Sequence, residues 1–296
     1  MSVATKFCNG SNGSISLSER GHVSLSGNLR LVCAFDPQRG THLSQQSFSA
    51  PIHLSKSYWN GDTLLVNVVN QTAGIFGGDR ITTHVAVEPR ARVLLSSPSA
   101  ARFHPSRGRE SRLEQTFEIR AGGSLDVFPE ISIPQRDSRS LQKTVIQMEH
   151  GGELIYLETL APGRVASDEV FAFAQYAWWT DIIVADRLVH RERTSIAPND
   201  LGTIGLRAHF PASYYASIIV ISPAAESWKT DFLHAISTLS NDSSVRIGAS
   251  KLSAHGWSIR ILAANSLTLR KNIQKLREMI YERLDRRVPD PRRNGS

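Results

Sequence analysis

Cysteine is scarce in this sequence: Cys8 and Cys33 are the only two in 296 residues, and they do not form a CxxC pair. Two thiols cannot frame a chain of this length, so both read as free thiols in a reducing compartment. Long apolar runs are missing as well. No stretch approaches the roughly 18 residues that a membrane span needs, and the Ser/Gly-rich N-terminus lacks a hydrophobic signal segment. A soluble, cytoplasmic protein with no membrane role is expected. The ten histidines include no HxH or HExxH pair, and no GxSxG elbow appears. Metal-dependent and serine hydrolysis therefore have no support, and a hydrolase with an unrecognised Ser/His/Asp site is a poor reading.

What is present is an ordinary globular composition, 41% apolar and 21% charged, with a formal charge of +7. Such an excess of Lys and Arg admits a basic β-rich module for nucleic acid or another polyanion. From Arg283 onward, however, the chain runs RLDRRVPDPRRNGS, the composition of a solvated tail rather than a groove-reading helix. The expectation is no nucleic acid, and a positive surface that speeds association with an acidic protein.

Between about residues 60 and 195 the apolar period is two, which predicts strands. Ile81, Thr83, Val85 and Val87 share one face of a strand, as do Leu113, Gln115, Phe117 and Ile119 of another. Further strands are expected over 64–69, 92–96, 124–128, 144–148, 153–157, 170–178, 187–193, 214–221 and 259–263. Gly122-Gly123 and Gly151-Gly152 close two similar segments 29 residues apart, with Pro89-Arg90 as a possible earlier copy. The plainer reading is two alike hairpins; the sharper one is a coil of sheet whose units stack on a common core. Two late helices follow from 3.6-residue stripes, Trp228, Phe232, Ile236 and Leu239, then Leu269, Ile273, Leu276, Ile280 and Leu284, the second capped by Asn265 or Ser266.

The segment Ala73-Gly74-Ile75-Phe76-Gly77-Gly78-Asp79-Arg80 is the most distinctive local feature. It is neither a P-loop nor a dinucleotide fingerprint, because a strand and not a helix follows it. On physical grounds it is a tight turn in which Asp79 accepts hydrogen bonds from nearby backbone N–H groups. His84, on the polar face of its strand, and His104, before Pro105, read as surface side chains. The carboxylates of Asp168 and Glu169 read as a solvated turn.

The ordered series of such segments resembles the UreD/UreH urease accessory family. Gly40-Thr41-His42-Leu43 with Pro51-Ile52-His53-Leu54 is similar to its opening pattern. Gly74 through Arg80 is similar to its Gly-Gly-Asp turn, and Ala91 through Ala100 to the strand and loop that follow. Phe128-Pro129-Glu130, Gly163-Arg164-Val165-Ala166 with Asp168-Glu169, and Leu188 to Arg193 continue the family order. The chain departs from the pattern at Ala101-Arg102-Phe103-His104, where a small hydroxyl is missing, at Asn70-Gln71-Thr72-Ala73, which replaces a more Pro/Gly-rich lead, and at Ser167-Asp168, which replaces a small residue and Gly.

The resemblance implies a mainly β fold of stacked, right-handedly coiled, sandwich-like sheets with two late α-helices. The expected organisation is a flexible segment over 1–27, a single UreD-like domain over 28–288 and a disordered basic tail over 289–296. It also implies a scaffold without turnover and without a tightly bound cofactor. Its partners would be apo-urease, a helical accessory protein of UreF type and an accessory GTPase of UreG type, with nickel as cargo in transit. At family-like positions Asp79, Glu169 and Glu192 are candidate carboxylates for that transit, with no firm ligand set. Gly74, Gly77, Gly78, Gly163 and Arg164 form the structural motifs around them. Oxygen ligands hold a divalent late transition metal less tightly than imidazole or thiolate and so permit transfer.

Overall fold

The structure, a computed structural model, describes residues 15–17, 23–198, 214–228, 230–239 and 243–289. In chain order the first strands are β1 (Ile15–Leu17), β2 (Val23–Asp36), β3 (Gly40–Ser49), β4 (Ile52–Leu54), β5 (Tyr58–Asn60), β6 (Thr63–Asn70) and β7 (Arg80–Val87). Next come β8 (Arg92–Ser96), β9 (Ala101–Phe103), β10 (Ser111–Ile119), β11 (Ser124–Phe128), β12 (Ser132–Pro134), β13 (Arg139–Met148) and β14 (Glu153–Leu160). The chain ends with β15 (Gln175–Val184), β16 (Arg187–Ile196), β17 (Tyr214–Ile221), helix α1 (Thr230–Leu239), β18 (Val245–Leu252), β19 (Gly256–Ala263) and helix α2 (Ser266–Arg283).

These strands form two stacked sheets. One runs β1-β2-β7-β10-β13-β15-β16 with β3 on β2; the other runs β18-β19-β17-β14-β11-β8-β6-β4 and carries β5, β9 and β12 at its side. From β6 to β15 the chain winds between them as a coil. Strands β7, β10 and β13 of the first sheet each turn into a strand of the second, β8, β11 and β14, and each stacks in parallel on the strand one coil earlier. The Gly-Gly echo therefore marks a coil and not a pair of hairpins: Glu118 pairs with Gln147 and Ser124 with Glu153 across parallel strands. Ser124 also pairs with Arg92, so Pro89-Arg90 is the corner of the coil before.

Parallel stacking places equivalent residues in columns. Leu31, Val85, Phe117, Ile146 and Ile182 form one through β2, β7, β10, β13 and β15, and each is fully buried. A buried side chain of that size contributes about 1.5–3 kcal/mol by leaving water, which is why the period-two pattern selects the inner face. The next inward column changes character. It reads Leu29, Thr83, Gln115, Thr144, Thr180, and across the antiparallel pair β15–β16 it ends on Glu192.

Helix α2 lies over β17 and β19, burying Leu269, Leu276 and Ile280, and Asn265 caps it by accepting the Thr268 N–H at 2.8 Å. Ile273, expected on the buried stripe, is only partly covered, because Arg277 and Tyr281 turn inward instead. The basic end is also not wholly solvated. The side chain of Arg286 is buried, its guanidinium donating to Asp126 Oδ2 at 2.9 Å beside the Tyr281 hydroxyl, which donates to the same oxygen. The strand expected over 170–178 begins only at Gln175, after the irregular corner 161–174. At the N-terminus, strand structure enters the expected flexible segment, since β1 and the start of β2 precede residue 28. Residues 290–296 of the expected tail lie outside the described residues.

Candidate functional site

Asp79 is buried, and its carboxylate closes the Gly-rich turn. Oδ2 accepts the Phe76 N–H at 2.8 Å and Oδ1 accepts the Leu25 N–H of β2 at 2.9 Å. The glycines around it are required by space: a Cβ on Gly77 would sit 2.3 Å from the Ser106 carbonyl oxygen, and one on Gly74 would sit 2.4 Å from that of Arg102. Both carboxylate oxygens are thus committed to backbone donors.

Glu169 is buried at the corner between β14 and β15. Arg164 donates to it through Nε and Nη2, and the Arg136 N–H donates to Oε2 at 3.1 Å. The Arg164 hydrogen bonds hold the Glu169 carboxyl below its ordinary range, against the opposing effect of burial. Asp168 takes φ +56°, a conformation that glycine adopts freely. A Cβ on Gly163 would lie 2.3 Å from the Glu169 carbonyl oxygen, so this corner also needs its glycine.

Glu192 differs from both. Arg191 and Arg193 point to the other face of β16 and pair with Asp181 at 2.9 and 2.7 Å, so Glu192 does not join them in a surface pair. Its Oε1 accepts from Trp178 Nε1, Thr194 Oγ1 and the Tyr215 hydroxyl at 3.1, 3.1 and 3.2 Å, and its Oε2 from Arg260 Nη2 at 2.7 Å. Burial pushes its carboxyl up, but His190, whose Nε2 lies 3.7 Å from Oε2, the charge of Arg260 and the other hydrogen bonds outweigh it and hold Glu192 below the ordinary value.

Facing Glu192 from the second sheet is a carboxylate absent from the expected set, Glu158. It accepts from the Tyr156 hydroxyl at 2.6 Å, Gln142 Nε2 at 2.9 Å and Thr180 Oγ1 at 3.4 Å, all on Oε1, while the buried Oε2 has no partner among the described residues. Desolvation pushes its carboxyl up to about 7, and the nearby charge of Glu192 adds to the rise. The signal for Glu158 was the alternation of β14: Leu154, Tyr156, Glu158 and Leu160 share a face, which sets an acid within an apolar row. A strand ending at residue 157 hides it.

Glu158, Gln115, Gln142 and Tyr156 line a cavity of about 300 Å³ between the sheets, which reaches exposed Ser99 and Arg102. That is room for several waters beside polar partners. Among the described residues, no three His, Cys, Asp or Glu side chains are grouped so as to hold a metal ion. Asp79, Glu169 and Glu192 are engaged with separate partners and do not form one cluster.

The molecule is a coiled-sheet protein whose interior carries a polar column and a cavity between its sheets. The chain matches the family model described as UreD urease accessory protein over residues 25–294. It is 35% identical over 271 residues to the urease accessory protein UreD of Opitutus terrae, covering 90% of this chain and 98% of that one. The UreD proteins of Acetivibrio thermocellus and Staphylococcus aureus are 28% and 25% identical, over 81% and 89% of this chain and 92% and 96% of theirs. The chain therefore belongs to the UreD urease accessory protein family. No described helix is long and apolar enough to cross a membrane.

Proposed function

We propose that this protein is a non-catalytic scaffold of urease maturation, acting in the cytoplasm. It docks on apo-urease, binds a helical accessory protein of UreF type and through it a nickel-carrying GTPase of UreG type, and helps pass nickel to the urease active site. Nickel is cargo here and not a resident cofactor. Family membership supports the urease role. One structural observation supports the transit role: the inner polar column ends on Glu192 opposite Glu158, beside a cavity that reaches the surface.

A divalent ion shedding part of its water meets hydroxyl, amide and carboxylate oxygens there, all weak ligands compared with imidazole or thiolate. Glu158 keeps one oxygen without a partner among the described residues, which favours its accepting an ion without first breaking a hydrogen bond. Of the three carboxylates at family-like positions, Glu192 is the one on the polar column opposite Glu158, although Arg260, Trp178, Thr194 and Tyr215 already hold its oxygens. The oxygens of Asp79 and Glu169 already hold backbone donors and Arg164, which favours positioning of the turns that frame the coil.

The experiment is urease activation in cells at limiting nickel. Glu158→Gln and Glu192→Gln should lower the nickel content of urease while leaving co-purification with the accessory partner intact. Wild-type nickel content with both variants would exclude the interior carboxylates as the route. A basic surface that binds polyanions is the second reading. Retention of the protein on a nucleic-acid column at 0.5 M salt would argue for contacts beyond simple charge.

A further inference from the structure

Both helices pack on the second sheet, α1 on β18 and α2 on β17 and β19, so among the described residues no helix covers the outer face of the first sheet. We propose that this outer face, centred on Trp179 of β15, docks an acidic face of a protein partner; this surface assignment rests on the maturation role proposed above.

Trp179 stands 38% exposed in the middle of its strand, leaving a large apolar ring in contact with water. Its register partners on the two flanking strands are Lys143 of β13 and Arg193 of β16. Lys143 Nζ lies 4.9 Å and the Arg193 guanidinium carbon 5.7 Å from the centre of the indole. Such contacts fix the ring, so little side-chain freedom is left to lose on binding. Arg193 is itself held in place, since Asp181 accepts from it at 2.7 Å and from Arg191 at 2.9 Å. A rigid, half-exposed Trp beside two arginines is the composition of an interface centre and not of a solvated sheet face.

Charge decides the occupant. On the same outer face, Arg30 of β2 and Arg80 of β7 are exposed and make no ion pair among the described residues, and they add to Lys143, Arg191 and Arg193. Asp181 and Glu114 are the carboxylates set among these cations, so the face is positive. A second copy of this chain would bring the cations against their own symmetry mates, which opposes a two-fold dimer through this face. Nucleic acid fits poorly as well. A nucleobase would have to displace the cations held over the indole before stacking on it, and Asp181 and Glu114 would meet phosphates. An acidic protein surface instead pairs its carboxylates with Lys143 and the arginines while its apolar atoms cover the indole.

The test is co-purification of the full chain with the urease subunits and accessory proteins co-expressed in one host, each quantified at about 0.15 M and about 0.5 M salt. Trp179→Thr keeps a β-branched strand former in place, Lys143→Glu reverses one charge beside the indole, and Lys275→Glu makes the same reversal on the exposed side of α2. One partner should bind the wild type more weakly at the higher salt and should fall about tenfold or more in the first two variants. Lys275→Glu should retain it, and the unfolding temperatures of all three should match wild type. Retention of every partner by Trp179→Thr and Lys143→Glu, or equal loss in Lys275→Glu, would overturn the docking surface and leave the maturation role standing. Retention of the wild type on immobilised RNA that both Trp179→Thr and Lys143→Glu lose, with every protein still bound, would assign the face to a polyanion and overturn it likewise. A wild type that co-purifies with none of these proteins would overturn the maturation role and this surface with it.

Discussion

Arg260 of β19 places its Nη2 2.7 Å from Oε2 of Glu192 in β16, joining the edge of the first sheet to the second across the interior. The same guanidinium donates to Ser217 Oγ at 2.6 Å, so one side chain links three strands. Arg260→Met should therefore cost about 2–3 kcal/mol, because it leaves a desolvated carboxylate short of its counter-charge. The folded Glu192 carboxyl sits below its ordinary value of 4.5. Its contribution is thus present above pH 4.5 and lost as pH falls through the folded value. Urea unfolding of wild type and Arg260→Met should show a gap at pH 7 that narrows below pH 4.5; a constant gap would show that the pair contributes nothing ionic.

Glu158 has the opposite sign. With its carboxyl raised from 4.5 to about 7, the folded state binds the extra proton between those values. Its stabilising contribution is complete below pH 4.5 and disappears as pH rises through 7. At 1.36 kcal/mol per pKa unit the effect is at most about 3 kcal/mol. Glu158→Gln should match wild type near pH 4.5 and exceed it at pH 8 in denaturant unfolding. A variant less stable than wild type at pH 8 would mean that the buried charge is already compensated.

Asp79 holds two backbone donors, one in its own turn and one on β2, and hydrogen bonds to a charged group are worth about 1.5–3 kcal/mol each. Asp79→Ala should lower stability by about 3 kcal/mol and Asp79→Asn by less, since the amide keeps one acceptor. Equal loss for the two, read from urea midpoints, would point to the charge and not the acceptor geometry.

The C-terminal helix is fastened at two places. Leu276→Asp puts an unpaired charge into a fully buried position and should cost at least about 3 kcal/mol, while Ile273→Asp, only partly covered, should cost clearly less. Arg286→Ala leaves Asp126 buried without its cation and should cost about 3–5 kcal/mol. Thermal unfolding of the three variants checks the order; a silent Arg286→Ala would place that residue in the solvated tail after all.

Arg92–Ser96, Ser124–Phe128 and Tyr214–Ile221 were legible to the residue as short, largely apolar runs bounded by turn residues, and the structure buries them on both faces. The coil was visible only as the 29-residue Gly-Gly echo, and local pattern cannot tell a hairpin turn from a corner between parallel strands. Strands β2 and β3 lacked any such mark, although their register also fixes the columns. Glu192 was singled out by its family-like position in the segment 188–193, yet its inward direction depends on pairing with Thr180, which no local window contains. Arg286 was hidden for the same reason: its partner Asp126 is 160 residues away.

The central claim is that this chain takes part in urease maturation, and activation of urease in a host lacking its own UreD tests it most directly. With the urease structural genes and the remaining accessory genes present, adding this chain should raise urease activity and bound nickel at least tenfold over the same host without it. Equal activity and nickel content with and without the chain, at a nickel supply too low for spontaneous activation, would contradict it.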